Sequence, residues 1–130
     1  MSAPCQTYVA VVDDDESACR ALSRLLRAEG IQPISYPSAE AFLADSKRPL
    51  FDCLVLDIQL GGMSGIELQQ QLKASGSSTP VIYITAHDEP ETRDRAQAAG
   101  CAAYFRKTAP GQDVLQAIRR AANPKEGKRS

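Results

Sequence analysis

Short runs of consecutive apolar residues alternate along this chain with longer stretches in which apolar residues return every three or four positions. The short runs are Tyr8–Val12, Ile31–Tyr36, Cys53–Leu56, Val81–Thr85 and Ala103–Arg106. Their β-branched and aromatic content predicts strands. Cys53-Leu54-Val55-Leu56 and Val81-Ile82-Tyr83-Ile84 are apolar at every position, the pattern of strands covered on both faces of a parallel sheet.

The longer stretches predict helices. From about Ser17 to Glu29, Ala18, Ala21, Leu22, Leu25 and Leu26 share one face, Arg20, Arg24 and Arg27 point away, and Gly30 is the stop. Ser38 opens a short second helix with Ala41, Phe42 and Leu43 on its apolar side. Ser64-Gly65 opens a third, using Ile66, Leu68 and Leu72 and stopping near Ser75-Gly76, and Ser77-Ser78-Thr79-Pro80 is a loop. A fourth, from about Pro90 to Ala99, has almost no large apolar residues and ends at Gly100. The last, from about Gln112 to Ala122, shows Val114, Leu115 and Ile118. Five β-α units in succession predict an α/β fold, a parallel sheet between two helical layers. Right-handed crossovers leave few topologies open to it.

The 130 residues fit one domain, expected to occupy residues 1–122. Asn123 to Ser130 is polar and mildly basic and reads as a frayed terminus or the start of a linker. Fifteen Lys and Arg against 16 Asp and Glu give a net charge of −1, which provides no global attraction to nucleic acid or to an anionic membrane. No apolar run approaches the ~18 residues of a membrane span, and the first residues lack the basic and apolar regions of a secretory signal. Cys5, Cys19, Cys53 and Cys101 form no C-x-x-C pair and His87 is the single histidine, which argues against a zinc site. Cys53 and Cys101 sit in apolar surroundings and read as small core residues. The expected setting is cytoplasmic and reducing.

Open parallel sheets bind ligands beyond the carboxyl ends of their strands, so the residues there matter most. Asp13, Asp14 and Asp15 follow the first strand and Asp57 the third. Thr85 closes the fourth, followed by Ala86 and His87, and Lys107 follows the fifth. Carboxylates gathered in one pocket repel one another and call for a cation, and hard oxygen ligands suit Mg²⁺. A carboxylate is also a nucleophile towards phosphorus, giving an acyl phosphate. A lysine and a hydroxyl opposite it supply the positive charge and the hydrogen bond that phosphoryl transfer needs. Asp15 reads as a helix N-cap.

Together these residues resemble the receiver domain of a two-component response regulator, from Tyr8 to Ala122. The stretches that carry the resemblance are Val11-Val12-Asp13-Asp14-Asp15-Glu16, Leu54-Val55-Leu56-Asp57, Met63-Ser64-Gly65-Ile66-Glu67-Leu68, Ile82-Tyr83-Ile84-Thr85-Ala86 and Phe105-Arg106-Lys107. Val-Asp-Asp-Asp-Glu together with Ser38-Ala39-Glu40-Ala41-Phe42-Leu43 is similar to receivers that precede a LuxR-type output domain. The resemblance implies a flavodoxin-like (βα)5 sandwich with strand order 2-1-3-4-5. It implies Asp57 as phosphoacceptor, and Mg²⁺ held by Asp14, Asp57 and the Gln59 carbonyl, with Asp13 acting through water. It gives Thr85 and Lys107 to the phosphoryl oxygens and makes Tyr104 the switch aromatic. Gln59 and His87 occupy positions that tune dephosphorylation.

The implied partners are a sensor histidine kinase or phosphotransfer protein, and a downstream protein or an output domain beyond the basic tail. Direct nucleic-acid or membrane binding is not expected, and a homodimer formed on phosphorylation is compatible with the family. Such a chain is a signalling switch that catalyses only its own phosphorylation and dephosphorylation. Two departures stand out. Thr108 replaces the family's proline after the lysine, where a cis bond would cost ~2.5–4 kcal/mol, so a trans bond or a reshaped loop is expected. Gly61-Gly62 stands where a proline is common, which predicts a more flexible loop. These departures motivate an alternative, a phosphate-independent receiver acting as a protein-interaction module. An aspartyl phosphohydrolase is disfavoured by Gln59, which stands where those enzymes carry a second acid. An FMN binder is disfavoured because no Ser/Thr-rich loop follows the first strand.

Overall fold

A computed structural model of the chain describes residues 6–86 and 89–122. The expectations for Cys5, His87 and residues 123–130 lie outside the described residues. The elements run β1 (Tyr8–Val12), α1 (Glu16–Ala28), β2 (Gln32–Tyr36), α2 (Ala39–Ala44), β3 (Cys53–Leu56), α3 (Gly65–Ala74), β4 (Val81–Thr85), α4 (Pro90–Ala98), β5 (Ala103–Arg106) and α5 (Gly111–Ala122). The strands form one 5-stranded sheet in the order β2-β1-β3-β4-β5, parallel at every pairing. This is the flavodoxin-like sandwich that the strand-helix alternation and the resemblance led us to expect.

The period-2 alternation of the strands divides the core in two. Ala10, Val12, Leu54, Leu56 and Tyr83 face one way, packed with Phe42 of α2, Ile66 and Leu68 of α3 and Ala96 of α4. Val9, Val11, Cys53, Val55 and Ile82 face the other, against Cys19 and Leu26 of α1 and Val114, Leu115 and Ile118 of α5. β3 is apolar throughout because both of its faces are covered. Cys53 is fully buried, and burial pushes its thiol up to about 12. Cys101 packs at the margin of the first core layer.

The helices differ in how they are held. α1 begins at Asp15, whose carboxylate accepts the Ser17 and Ala18 N–H groups at 3.0 and 3.3 Å. α3 begins with a capping box between Ser64 and Glu67. α4 has neither device. Its N-cap, Glu89, makes no side-chain capping bond, and Ala96 is its one buried residue. Its C-terminal end is tied from outside, where Lys73 Nζ of α3 donates to the Ala99 carbonyl at 2.7 Å.

Tyr36 ends β2 inside an aromatic cluster, edge-on to Phe42 and Phe51 at 5.2 and 6.4 Å. Its hydroxyl donates to Asp45 Oδ2 at 2.6 Å. Burial first, and the neighbouring carboxylate second, push the phenol from 10.0 up to about 12. The folded state therefore favours the neutral phenol. That contribution is complete below the unfolded value of 10.0 and is lost as pH rises through the folded value of about 12. In denaturant unfolding between pH 9 and 12, wild type is expected to lose stability more steeply than Tyr36→Phe over that window. Parallel curves would show that Tyr36 does not contribute.

Candidate functional site

Strand register brings the acidic residues together. β1 and β3 are neighbours with Val12 opposite Leu56, so the residues that follow, Asp13 and Asp57, emerge side by side at the carboxyl edge. Backbone bonds extend the ladder past the strands: the Asp57 N–H donates to the Val12 carbonyl at 3.0 Å and the Asp13 N–H to the Tyr36 carbonyl at 3.1 Å. Both side chains are buried, with relative exposures of 7% for Asp13 and 5% for Asp57. Thr85 closes β4, the next strand, and is fully buried. Lys107 follows β5, its N–H bonded to the Thr85 carbonyl at 2.9 Å.

From there Lys107 reaches back across β4. Its Nζ lies 3.0 and 3.2 Å from the two oxygens of Asp13 and 3.1 Å from Asp57 Oδ2. One ammonium thus bridges both buried carboxylates. The Lys107–Thr108 peptide is trans, as are all others among the described residues, so the missing proline has not taken the lysine out of reach. Burial alone would lower the Lys107 pKa, but its hydrogen bonds to Asp13 and Asp57 outweigh that and raise it. Burial raises Asp13, and the charge on Asp57 adds to the effect, while the Asp15 N–H and Lys107 oppose it. Lys107, Asp13 and Asp57 line one end of a largely apolar cavity of about 220 Å³ between α1, α5 and the sheet.

Asp13, Asp14 and Asp57 each present a carboxylate oxygen, all within 4.8 Å of one another, and Asp14 is exposed. The donor set fits a hard divalent cation: oxygen ligands only, two buried and one facing solvent, with a single lysine against three acids. Gln59 stands beside them. Its N–H donates to Asp57 Oδ1 at 3.1 Å.

Asp15 lies outside the group and serves as the N-cap of α1. Tyr104 sits half-buried on β5 opposite Tyr83, with the Arg93 guanidinium 5.4 Å from its ring centroid. Two residues of the site escaped sequence reasoning. Gly65 is the first: a Cβ there would sit 2.3 Å from the Asp57 carbonyl oxygen, so α3 enters the site through the one residue type that fits. A glycine at the first position of a helix, where it is a poor helix former, was the available signal. Cys19 is the second. It donates from Sγ to the Asp13 carbonyl at 3.3 Å, and nothing in the sequence pattern distinguishes it from a core residue.

Known proteins share this sequence pattern and this fold. The family model described as the response regulator receiver domain matches residues 9–119. Response regulator protein TodT of Pseudomonas putida is 35% identical over 128 residues, covering 91% of this chain and 56% of TodT. The chain spans about half the length of the curated relatives it matches. Among solved structures, a CheY-like response regulator receiver domain protein from Methanospirillum hungatei JF-1 superposes with a TM-score of 0.86 at 24% identity, covering 95% of this chain and 99% of that one. The crystal structure of FixJ-N gives a TM-score of 0.83 at 31% identity, covering 92% and 96%.

Two outcomes follow from the buried acids. The raised pKa of Asp13 means that its ionised form is penalised in the folded state. Its contribution to stability is present below the unfolded value of 3.8 and is lost as pH rises through the folded one. In chelator at pH 7, Asp13→Asn is expected to melt above wild type, with the gap closing as pH falls toward 4; a lower melting point at pH 7 contradicts this. Gly65→Ala is expected to cost about 1–3 kcal/mol by forcing backbone apart at Asp57, read by urea unfolding. An unchanged midpoint would mean that α3 can shift freely.

Proposed function

Because the chain belongs to the response regulator receiver domain family of two-component signalling, we propose that it is a phosphoryl-accepting switch with Asp57 as the acceptor. The observation that carries this reading is the Lys107 ammonium held between Asp13 and Asp57 beside a third carboxylate, Asp14. An Asp57 oxygen attacks the phosphorus of a phosphohistidine on a sensor kinase or phosphotransfer protein. The new O–P bond forms as the P–N bond breaks, and its electron pair leaves with the imidazole nitrogen. Asp14, Asp57 and the Gln59 carbonyl would hold Mg²⁺ directly, with Asp13 acting through water. The ion would supply positive charge to the phosphoryl oxygens. Lys107 supplies the second positive charge from the opposite side, and its bond to Asp57 orients the nucleophile.

Switching follows from the new charge. A phosphoryl group adds roughly −1.5 to −2 and fresh acceptor oxygens. The Thr85 hydroxyl donates to one of them, and Tyr104 turns inward behind it. That state gains population by its differential affinity for the phosphoryl group. The face formed by α4, β5 and α5 is then presented to a partner: a downstream protein, a second copy of the chain, or an output domain of the LuxR type. Gln59 and His87 gate water attack on the acyl phosphate. In this reading residues 1–122 are the receiver, 123–130 a tail or linker, and the setting is cytoplasmic. The chain turns over no other substrate. The phosphate-independent alternative is disfavoured by the close set of acids and the seated lysine.

Intact-mass analysis after incubation with acetyl phosphate and Mg²⁺ tests the chemistry. Wild type is expected to gain one phosphoryl group of about 80 Da, and Asp57→Asn and a chelator control none. Lys107→Ala is expected to be phosphorylated at least about 100-fold more slowly. A full adduct on Asp57→Asn would overturn the assignment.

A further inference from the structure

The segment that follows Asp57 has little regular support. Residues 59–64 belong to no helix or strand, and Gly61 and Gly62 place no side-chain restraint on the backbone. Its two ends are tied locally, by the Gln59 N–H to Asp57 and by the Ser64 N–H to Glu67 Oε1 at 2.9 Å. Between them a bond crosses to another element: the Met63 N–H donates to Glu40 Oε2 of α2 at 2.8 Å.

Glu40 is held in place to make that bond. Ala39 and Phe42, on either side of it, are buried at 0% and 2% and fix α2 against the sheet. The Ser38 hydroxyl caps the helix by accepting the Ala41 N–H at 3.0 Å. Glu40 itself is exposed, so its carboxylate contributes no packing. A carboxylate on a backbone N–H is a charge-assisted bond, and the Met63 N–H holds Glu40 below its ordinary pKa. Gly62 fits the same contact. A Cβ there would meet Glu40 Oε2 at 2.5 Å, so a side chain at this position would push the flexible end of Glu40 off the Met63 amide.

We propose that Glu40 is a positioning residue for phosphotransfer. By clamping the Met63 amide it holds the glycine loop in one arrangement, so that the Gln59 carbonyl and the Asp57 carboxylate face the cation together. This inference rests on the function proposed above. It assigns to a side chain on α2 the restraint that a proline in the loop would otherwise supply.

The test uses the full chain as wild type, Glu40→Ala and Glu40→Gln. Three readouts are needed: amide hydrogen exchange at Met63 without metal, the Mg²⁺ dissociation constant by calorimetry, and the acetyl phosphate reaction rate as a function of Mg²⁺ concentration. For Glu40→Ala, Met63 is expected to exchange roughly tenfold faster, Mg²⁺ to bind several-fold more weakly, and the rate to recover toward wild type at saturating Mg²⁺. Glu40→Gln keeps an acceptor oxygen and is expected to restore most of all three readouts, and circular dichroism should show both variants fully folded at the assay temperature. Wild-type exchange and wild-type Mg²⁺ dependence in Glu40→Ala would overturn the proposal, as would Glu40→Gln behaving like Glu40→Ala. If wild type itself takes no phosphoryl group, the reading of Asp57 fails. Exchange at Met63 and Mg²⁺ affinity then still decide the role of Glu40.

Discussion

Two buried carboxylates side by side at the end of a sheet are the constraint around which this domain is arranged. Asp13 and Asp57 meet because β1 and β3 pair in register, and neither can be withdrawn without slipping a central strand. Like charges in a poorly solvated pocket disfavour the compact state. Lys107 answers that cost from the far side of β4, and Asp14 faces solvent beside them. A native state that carries uncancelled negative charge at the end of its sheet is one whose equilibrium responds to added charge, whether from a cation or from a phosphoryl group.

The rest of the fold divides into parts that hold this arrangement and parts that can answer it. α1 and α3, which flank the acids, begin with side-chain caps. α3 enters so closely that only glycine fits against the Asp57 carbonyl. α4 buries Ala96 alone among its residues and sets the Arg93 guanidinium over the Tyr104 ring. Firm elements thus carry the reacting groups, and the loosely held one lies beside β5 and Tyr104, at the face proposed to change.

Most of this was legible in the sequence because it is written in short-range patterns. Uninterrupted apolar runs marked the buried parallel strands. Four of the five have the bounds read from the sequence, and β2 begins at Gln32 rather than Ile31. The grouping of Asp13, Asp14, Asp57 and Lys107 followed from strand ends alone, because a parallel sheet brings those ends to one edge. Contacts that depend on side-chain reach across elements were not legible. Nothing in Glu40 shows that it will meet the Met63 amide, nor in Lys73 that it will cap α4, since both read as ordinary solvated charges on helices. The Lys107–Thr108 departure looked more disruptive in sequence than it is in space. A trans peptide there still brings Nζ to both carboxylates, because a lysine side chain is long enough to absorb a change in the backbone behind it.

The tether from Lys73 to the Ala99 carbonyl gives α4 the mechanics of a cantilever. The beam is tied at its C-terminal end, while Glu89 at the other makes no side-chain capping bond. Its 9 residues make a rod about 13 Å long. A tilt of about 10° at the clamp therefore displaces the far tip by about 2 Å while barely disturbing the packing at Ala99. That tip follows Thr85 by only four residues in the sequence, so in the switching proposed above a small rearrangement at the carboxyl edge has its greatest leverage there. In that proposed switching the displacement grows along α4 from base to tip, and the angle of the helix changes without its unfolding.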